Sequence, residues 1–487
     1  MPQHRLIRLA AAATLGFMCL ALWSVASKAQ TTATTATTAS TASTATTGTT
    51  GTTGGGNSAG AAGIVVDPNG VLRTKIFMDQ AGQLMWRRNA AAFAATNPKA
   101  AKVSKLRKVS LNRLEAAAKQ RLDEGQQPSD EMKTLAGLTR IQYLFFYPDS
   151  KDIVIAGPAE GWAPDLSGRI RGLTSGRPVV QLDDLVTALR AFPPAGKATS
   201  IISCSIDPTK EGLQRMQDFL RQIGSRATPG DTETIVTGLR QSLGLENVTI
   251  KGVPANTHFA QVLVEADYRM KLIGIGLEAP PVKQLVSYVE RAKPGSVSKN
   301  ALERWFFVPD YECLRVTEDD SALELIGDGV KLVNADEVVA ADGSRAKSST
   351  IDGASRAFTE NFTRKYAELA GVSPVYSQLR NCIDLAMLAA FMQQKDYYGK
   401  ASWKMPLFGS ESAYPVQTLT APQQVETAVA SVWKGNHLMT PIGGGVEIRP
   451  TKALARDSAQ SDSEGKVAAQ RDKIDLKGLA KDQWWWD

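Results

Sequence analysis

The sequence predicts an α+β protein: a mixed or mostly antiparallel sheet covered by helices, with a helical C-terminal region and a disordered N-terminal tether. Three stretches carry that prediction. Residues 139–162, TRIQYLFFYPDSKDIVIAGPAEGW, hold two runs rich in β-branched and aromatic residues around Pro148-Asp149-Ser150, the signature of a hairpin. Residues 304–333 return to strand patterning after a helical stretch. Between them lies GVPANTHFAQVLVEADYRMKLIGIGLE, residues 252–278. Its apolar residues Phe259, Val262, Leu263, Ala266, Met270 and Ile273 recur at steps of three and four, the spacing that buries one stripe of a helix. Glu265–Arg269 and Asp267–Lys271 are acid-before-base pairs at i,i+4, the stabilising order. Asn256 or Thr257 caps the start of this helix and Gly274 its end.

Taken in order, residues 1–29 read as a secretory signal. His4, Arg5 and Arg8 precede the apolar run LAAAATLGFMCLALWSVA, and Ser27-Lys28-Ala29 makes a small-x-small cleavage site. The run is too short and too alanine-rich at its start for a permanent span, so the mature chain is expected to have no transmembrane anchor. Residues 30–62 are almost entirely Thr, Ala, Ser and Gly. They cannot bury enough apolar surface to fold, and read as a tether, bare or carrying O-linked sugar. A core domain is expected over 63–345, a mainly helical region with a hairpin at Gly443-Gly444-Gly445 over 346–455, and a disordered polar tail over 456–487. Within the core, GIVVDPNGVLR is strand, turn and strand, and residues 79–123 read as helical with a break at Asn97-Pro98. Ser110 is the N-cap of LNRLEAAAKQRL. A helix opens at Asp183-Asp184, a strand covers 199–206, helices cover 208–223, 231–243 and 282–292, and a strand at 248–252 leads into the central helix. Two long helices, 354–370 and 375–394, follow a polar linker at 340–355, and the second is apolar on most sides and therefore buried. Residues 143–149 are echoed at 304–310, with four matches at an offset of 161, which allows a duplicated half or merely shared strand-turn chemistry.

Composition excludes several classes. Formal net charge is +7, which falls by three to +4 once Arg5, Arg8 and Lys28 leave with the signal. That is mild for this length and does not imply nucleic acid. Cys204, Cys313 and Cys382 allow at most one disulfide in the mature chain. With only His258 and His437 beside them, no zinc site and no other metal or cofactor is implied. GIGLEA at 274–279 fits a loose dinucleotide pattern but follows a helix instead of a strand, and is rejected.

Candidate site residues fall in three groups. His258, Gln261, Glu265 and Arg269 share one face of the central helix. His258 and Glu265 stand about 10 Å apart along its axis, room for a ligand between them. The structural alternative is a solvated or interdomain helix face with ordinary ion pairs. Glu160 and Trp162 lie in a Gly/Pro-rich loop and, with Asp165 or Asp183, would make a two-carboxylate site on a sugar polymer with the indole as platform. Eight Lys or Arg against the single acid Glu115 fill 99–121. Lys102, Lys105, Arg107 and Lys108 are the candidate polyanion contacts, though no aromatic residue interleaves them for base stacking. Trp484-Trp485-Trp486 insert into a partner groove or a membrane interface, or fold back on the domain.

Three motifs together, FYPDSKDIVIAGPAEGW, GVPANTHFAQVLVEADYRMKLIGIGLE and RWFFVPDYECLRV, resemble a domain-of-unknown-function family of exported proteins typical of planctomycete bacteria. The resemblance runs from Gly63 to about residue 450. It implies export and one composite fold, and brings no assigned catalytic residues. The expected function is that of an exported, periplasmic or extracellular protein, soluble or peripherally attached. It is expected to be a non-enzymatic binding or structural protein whose partner is an envelope polymer or another envelope protein. The alternatives are a hydrolase acting on an envelope polysaccharide or wall polymer, and a polyanion-binding surface protein.

Overall fold

The computed structural model describes residues 61–487 except 78, 80–81, 225–227, 294–300, 311, 313, 336, 340–344, 348–352, 431–432, 435–436, 439–441, 456–458 and 481. The predicted signal, nearly all of the tether, most of the 340–355 linker and Cys313 therefore lie outside the described residues. The elements up to the central helix are β1 (Ala61–Val66), β2 (Val71–Phe77), α1 (Gln83–Ala95), α2 (Pro98–Ala101), β3 (Ser104–Ser110), α3 (Leu111–Asp123), α4 (Asp130–Lys133), β4 (Tyr143–Tyr147), β5 (Asp152–Ala159), β6 (Trp162–Pro164), β7 (Ile170–Gly172), α5 (Leu182–Ala191), β8 (Ile202–Asp207), α6 (Lys210–Ile223), α7 (Thr232–Leu243), β9 (Leu245–Lys251) and α8 (His258–Gly274). After it come α9 (Tyr288–Arg291), β10 (Ala301–Pro309), β11 (Leu314–Val316), β12 (Ala322–Leu325), β13 (Val330–Asn334), β14 (Glu337–Val339), β15 (Arg345–Lys347), α10 (Gly353–Arg364), α11 (Tyr366–Val372), α12 (Pro374–Gln394) and α13 (Tyr397–Lys400). The chain closes with β16 (Gln424–Glu426), β17 (Trp433–Lys434), β18 (His437–Leu438), β19 (Ile442–Ile448), α14 (Pro450–Ala453), β20 (Gln460–Ser461), α15 (Lys466–Asp472) and β21 (Trp485–Trp486).

The α+β class holds. Two sheets organise the body. One has ten strands in the order β1-β2-β16-β9-β8-β19-β10-β14-β15, with β13 also paired to β10. It is mixed, because β16 runs parallel to β2 and β19 parallel to β10. The other has seven strands in the order β20-β11-β12-β4-β5-β3-β21. The hairpin read from 139–162 is β4–β5, with Tyr147 opposite Asp152. The central helix is α8, capped by the Thr257 hydroxyl, which accepts from the Ala260 N–H at 3.2 Å. It packs on β8 and β19 of the large sheet and also against α5 and α12. Of α12, every residue from Val375 to Met392 is buried, as its apolar pattern requires.

Several expectations are corrected. Residues 104–110 are strand β3, not part of a long helix, although Ser110 does cap α3. The helix expected over 282–292 is reduced to the single turn α9. The glycines 443–445 are not a hairpin turn but the middle of β19, between β8 and β10. A Cβ on Gly444 would lie 2.0 Å from the Trp305 carbonyl oxygen and one on Gly445 1.9 Å from that of Cys204, so neighbouring backbone excludes any side chain there. β16 and β19, from the region after residue 345, complete the large sheet, and the described residues form one compact unit. The echo of 143–149 at 304–310 is not a repeated half: β4 joins a hairpin in the small sheet, whereas β10 pairs with β13 and β19 in the large one.

The expected disordered tail is also folded. β20 adds to β11, and β21 adds to β3 at the opposite edge of the seven-stranded sheet. Between them Val467 and Ile474 pack with Phe145, Val154, Ala156 and Ala322. A few apolar anchors in a polar segment suffice when each meets an open sheet face. Trp484 joins the main core, and the indole of Trp485 lies 4.8 Å from the Arg107 guanidinium. The three tryptophans thus fold back on the domain.

Candidate functional site

The polar face of α8 does not open to solvent. It forms a buried seam with α5 and α12. His258, the first residue of the helix, places Nδ1 at 2.9 Å from Asp184 Oδ2, and its side chain is 24 % exposed. Nε2 faces Gln181 at 3.3 Å and Gln378 of α12 at 3.2 Å. Gln378 Oε1 has no hydrogen-bond partner among the described residues. Rotating that amide by 180° would let Oε1 accept from an Nε2–H, an arrangement that suits a doubly protonated ring. Burial disfavours the charge most strongly, yet the adjacent Asp184 carboxylate, by charge and hydrogen bond, leaves the imidazole above its ordinary pKa.

Two turns on, Glu265 is ion-paired with Arg169 through Oε2. Its Oε1 stands 3.8 Å from Arg269 Nη1 and accepts no hydrogen bond among the described residues. Arg269 makes its stronger pair with Glu278, at 2.6 Å through Nη2, and despite the cost of burial its guanidinium is held more firmly protonated than usual. Gln261 points elsewhere and donates to the Thr420 carbonyl at 3.1 Å. The four residues predicted to share a face therefore do so in sequence, but α12 covers the His258 end and each side chain has its own structural partner. The ligand expected between His258 and Glu265 has no open groove to occupy.

On the sheet side of α8, Lys271 is buried between the Asp267 carboxylate at 2.9 Å and the Ile206 carbonyl at 3.0 Å. Glu246 of β9 is 4 % exposed. Burial pushes its carboxyl up to about 7, an effect that Lys271 opposes and Asp207 and Asp267 reinforce. Asp267 is raised to about 6, chiefly by burial. Cys204 beside them and Cys382 on α12 are buried free thiols, and burial raises both well above the ordinary range, the reverse of what a reactive thiolate needs.

The Glu160 loop is closed on itself. Glu160 is buried and accepts from the Thr174 N–H at 2.7 Å and the Ser175 N–H at 3.0 Å through Oε2, while the Ser175 hydroxyl bonds to Oε1. A Cβ on Gly172 would lie 2.1 Å from Oε1, so the loop wraps the carboxylate too closely for any other residue. Asp165 accepts from the Ser167 and Arg169 N–H groups, and Asp183 from the Tyr414 hydroxyl and the Gln417 N–H. None of these acids stands free as a proton donor or nucleophile. Trp162 of β6 is 7 % exposed and contributes to the wall of a cleft of about 540 Å³. Thr96, Lys133, Thr134, Gln181, Gln417 and the acids Asp130, Glu131 and Asp183 also line that cleft. Glu160 does not.

The basic run at 99–121 is not one face. Arg107 is fully buried, with its guanidinium donating to the Ala100 and Ala136 carbonyls at 2.8 and 2.7 Å and pairing with Asp487 at 2.8 Å. Lys108 is half-buried, and burial lowers its pKa. Lys102 and Lys105 remain exposed. Alternation along a strand sends neighbouring side chains to opposite faces, which is why a run that reads as one patch in a helix is dispersed here. Asp184, Gln378, Arg169 and Glu246 carry no local sequence signal, since each meets its partner only through tertiary packing.

Among the described residues no three or more His, Cys, Asp or Glu side chains converge as a metal site, and no helix is long and apolar enough to cross a membrane. What the fold and site define is an α+β body with a buried ionic helix at its centre and a polar cleft at its side. Residues 204–288 match the model of a family described as protein of unknown function (DUF1598). The match takes in the last four residues of β8, then α6, α7, β9 and the whole of α8, hence the second of the three resembling motifs, but neither 139–162 nor 304–316. No curated protein and no solved structure matches the chain.

Proposed function

We propose that the chain is an exported, non-enzymatic binding protein of the cell envelope or the extracellular space, of the planctomycete type that its motifs resemble. Its partner is a polyhydroxylated envelope polymer held in the cleft beside Trp162. The observation that carries this reading is the lining of that cleft. Hydrogen-bonding side chains, the uncharged Thr96, Thr134, Gln181 and Gln417 and the charged Asp130, Glu131, Lys133 and Asp183, stand with one indole, the chemistry that meets sugar hydroxyls and an apolar ring face. The hydrolase alternative draws less support, because Glu160, Asp165 and Asp183 each serve as hydrogen-bond anchors of their own loops. The polyanion alternative loses Arg107 to the core.

Isolated wall polymer and soluble polysaccharides, titrated calorimetrically into the purified chain, test the reading. Binding that weakens at least tenfold in Q417A and T96A, with unchanged melting, is the expected result. Release of reducing ends from the polymer would favour the hydrolase, and absence of binding to any envelope polymer would remove the proposal.

A further inference from the structure

The described residues expose ten large apolar side chains, and five of them, Ile76, Leu84, Trp86, Phe93 and Val103, fall within residues 76–103. Trp86 is 72 % and Phe93 64 % exposed. Their spacing of seven puts both on one flank of α1 with Ala90 between them. Met85, Asn89 and Ala92, about a quarter of the way round the helix, are partly buried, and α1 packs on β6. The helix is firmly seated. Asp79 accepts from the Leu84 and Met85 N–H groups at its start, and Arg88 donates to the Asp165 carbonyl at 3.0 Å. A seated helix that holds a tryptophan and a phenylalanine out in water needs something to cover them.

Charge selects what covers them. α1 contains Arg87 and Arg88 and no acid, and the whole of 76–103 holds Arg87, Arg88, Lys99 and Lys102 against Asp79 alone. A two-fold pairing with a second copy would set Arg87 close to its own equivalent, an unfavourable contact. An anionic lipid surface accepts both features at once: aromatic side chains favour the headgroup boundary, and arginines meet phosphate. We propose that the outer flank of α1, around Trp86 and Phe93 with Arg87 beside them, docks on an anionic bilayer. This surface stands apart from whatever the cleft binds, although Ala92 and Thr96 line the cleft from the same helix, so docking would bring the cleft beside the membrane.

Co-sedimentation of the purified full chain with vesicles tests this. One set contains phosphatidylglycerol and phosphatidylethanolamine, the other phosphatidylcholine alone. The parent chain is expected to bind the anionic vesicles at least tenfold more tightly than the neutral ones. W86A/F93A and R87E each lower anionic binding at least tenfold relative to the parent, while V372A, at an exposed site on α11, leaves it unchanged. The changed side chains are exposed, so both variants should melt with the parent. If W86A/F93A fails to fold, R87E decides the question alone. Equal binding by parent and variants, no binding of the parent to anionic vesicles, or a parental dimer that W86A/F93A turns into a monomer would each overturn the proposal.

Discussion

Glu246 makes folding stability depend on pH in a direction opposite to that of most carboxylates. Its folded-state value is about 7 against an ordinary 4.5, because β9 and α8 bury it among Asp207 and Asp267 with Lys271 only partly compensating. The folded chain therefore holds this proton over a range where the unfolded chain has released it. Stability from this group is complete below the unfolded value and is lost as pH rises from about 4.5 through about 7. A difference of roughly 2.5 units at about 1.4 kcal/mol per unit gives a total of about 3 kcal/mol, of which about 2.5 kcal/mol falls between roughly pH 5 and pH 8. Glu246→Gln keeps the shape and removes the ionisation. Urea unfolding of parent and variant at those two values isolates the term, since the slope from Asp267, raised in the same direction, is common to both. The parent should lose about 2.5 kcal/mol more than the variant on going to the higher pH. An equal loss in both proteins, or a variant less stable than the parent at the higher pH, would refute the reasoning.

Three other outcomes follow from packing and charge. Gly274→Ala would place a Cβ 2.0 Å from the buried Trp305 ring at the end of α8, and should lower unfolding free energy by about 1–3 kcal/mol in a denaturant titration, with Trp305 emission shifted. Asp184→Asn should lower the His258 pKa, read from the imidazole resonance in an NMR titration. In the parent, the raised value contributes stability that is complete below the ordinary value near 6.5 and is lost as pH rises through the folded one. Arg107→Ala leaves the Ala100 and Ala136 carbonyls and Asp487 without their donor, and should cost about 3 kcal/mol and release the 484–487 strand to limited proteolysis.

How far the fold could be read from the sequence depended on whether a residue's surroundings were local. Thr257 capping α8, the Asp267–Lys271 pair and the β4–β5 hairpin are contacts within a few residues, and sequence spacing specifies them. β3 defeated the same logic. Its basic, alternating SKLRKVS looks solvated, but Arg107 is neutralised by Asp487, 380 positions away. The glycines of β19 depart from the expected turn for a related reason. Three glycines in a row signal a turn when only the chain is considered. In the sheet they answer to Trp305 and Cys204 on two neighbouring strands, a constraint absent from the local sequence.

The central helix makes the same point about function. Its charges look like a site because charged side chains in a buried helix are costly unless paired. The periodicity showed the helix and two of its pairs, but not that Arg169, Asp184, Glu278 and Gln378 arrive from four other segments to meet them. Once those partners are in place, Glu265 and Arg269 need no ligand to account for them. His258 is tied to Asp184 and reaches the cleft only through Gln181, which lines it. A polymer in the cleft that engages Gln181 would therefore be felt at His258 through one hydrogen bond. The imidazole titration in the presence of polymer measures that coupling directly: a shifted His258 pKa places the ligand against Gln181, and an unshifted one puts it against the Gln417 wall.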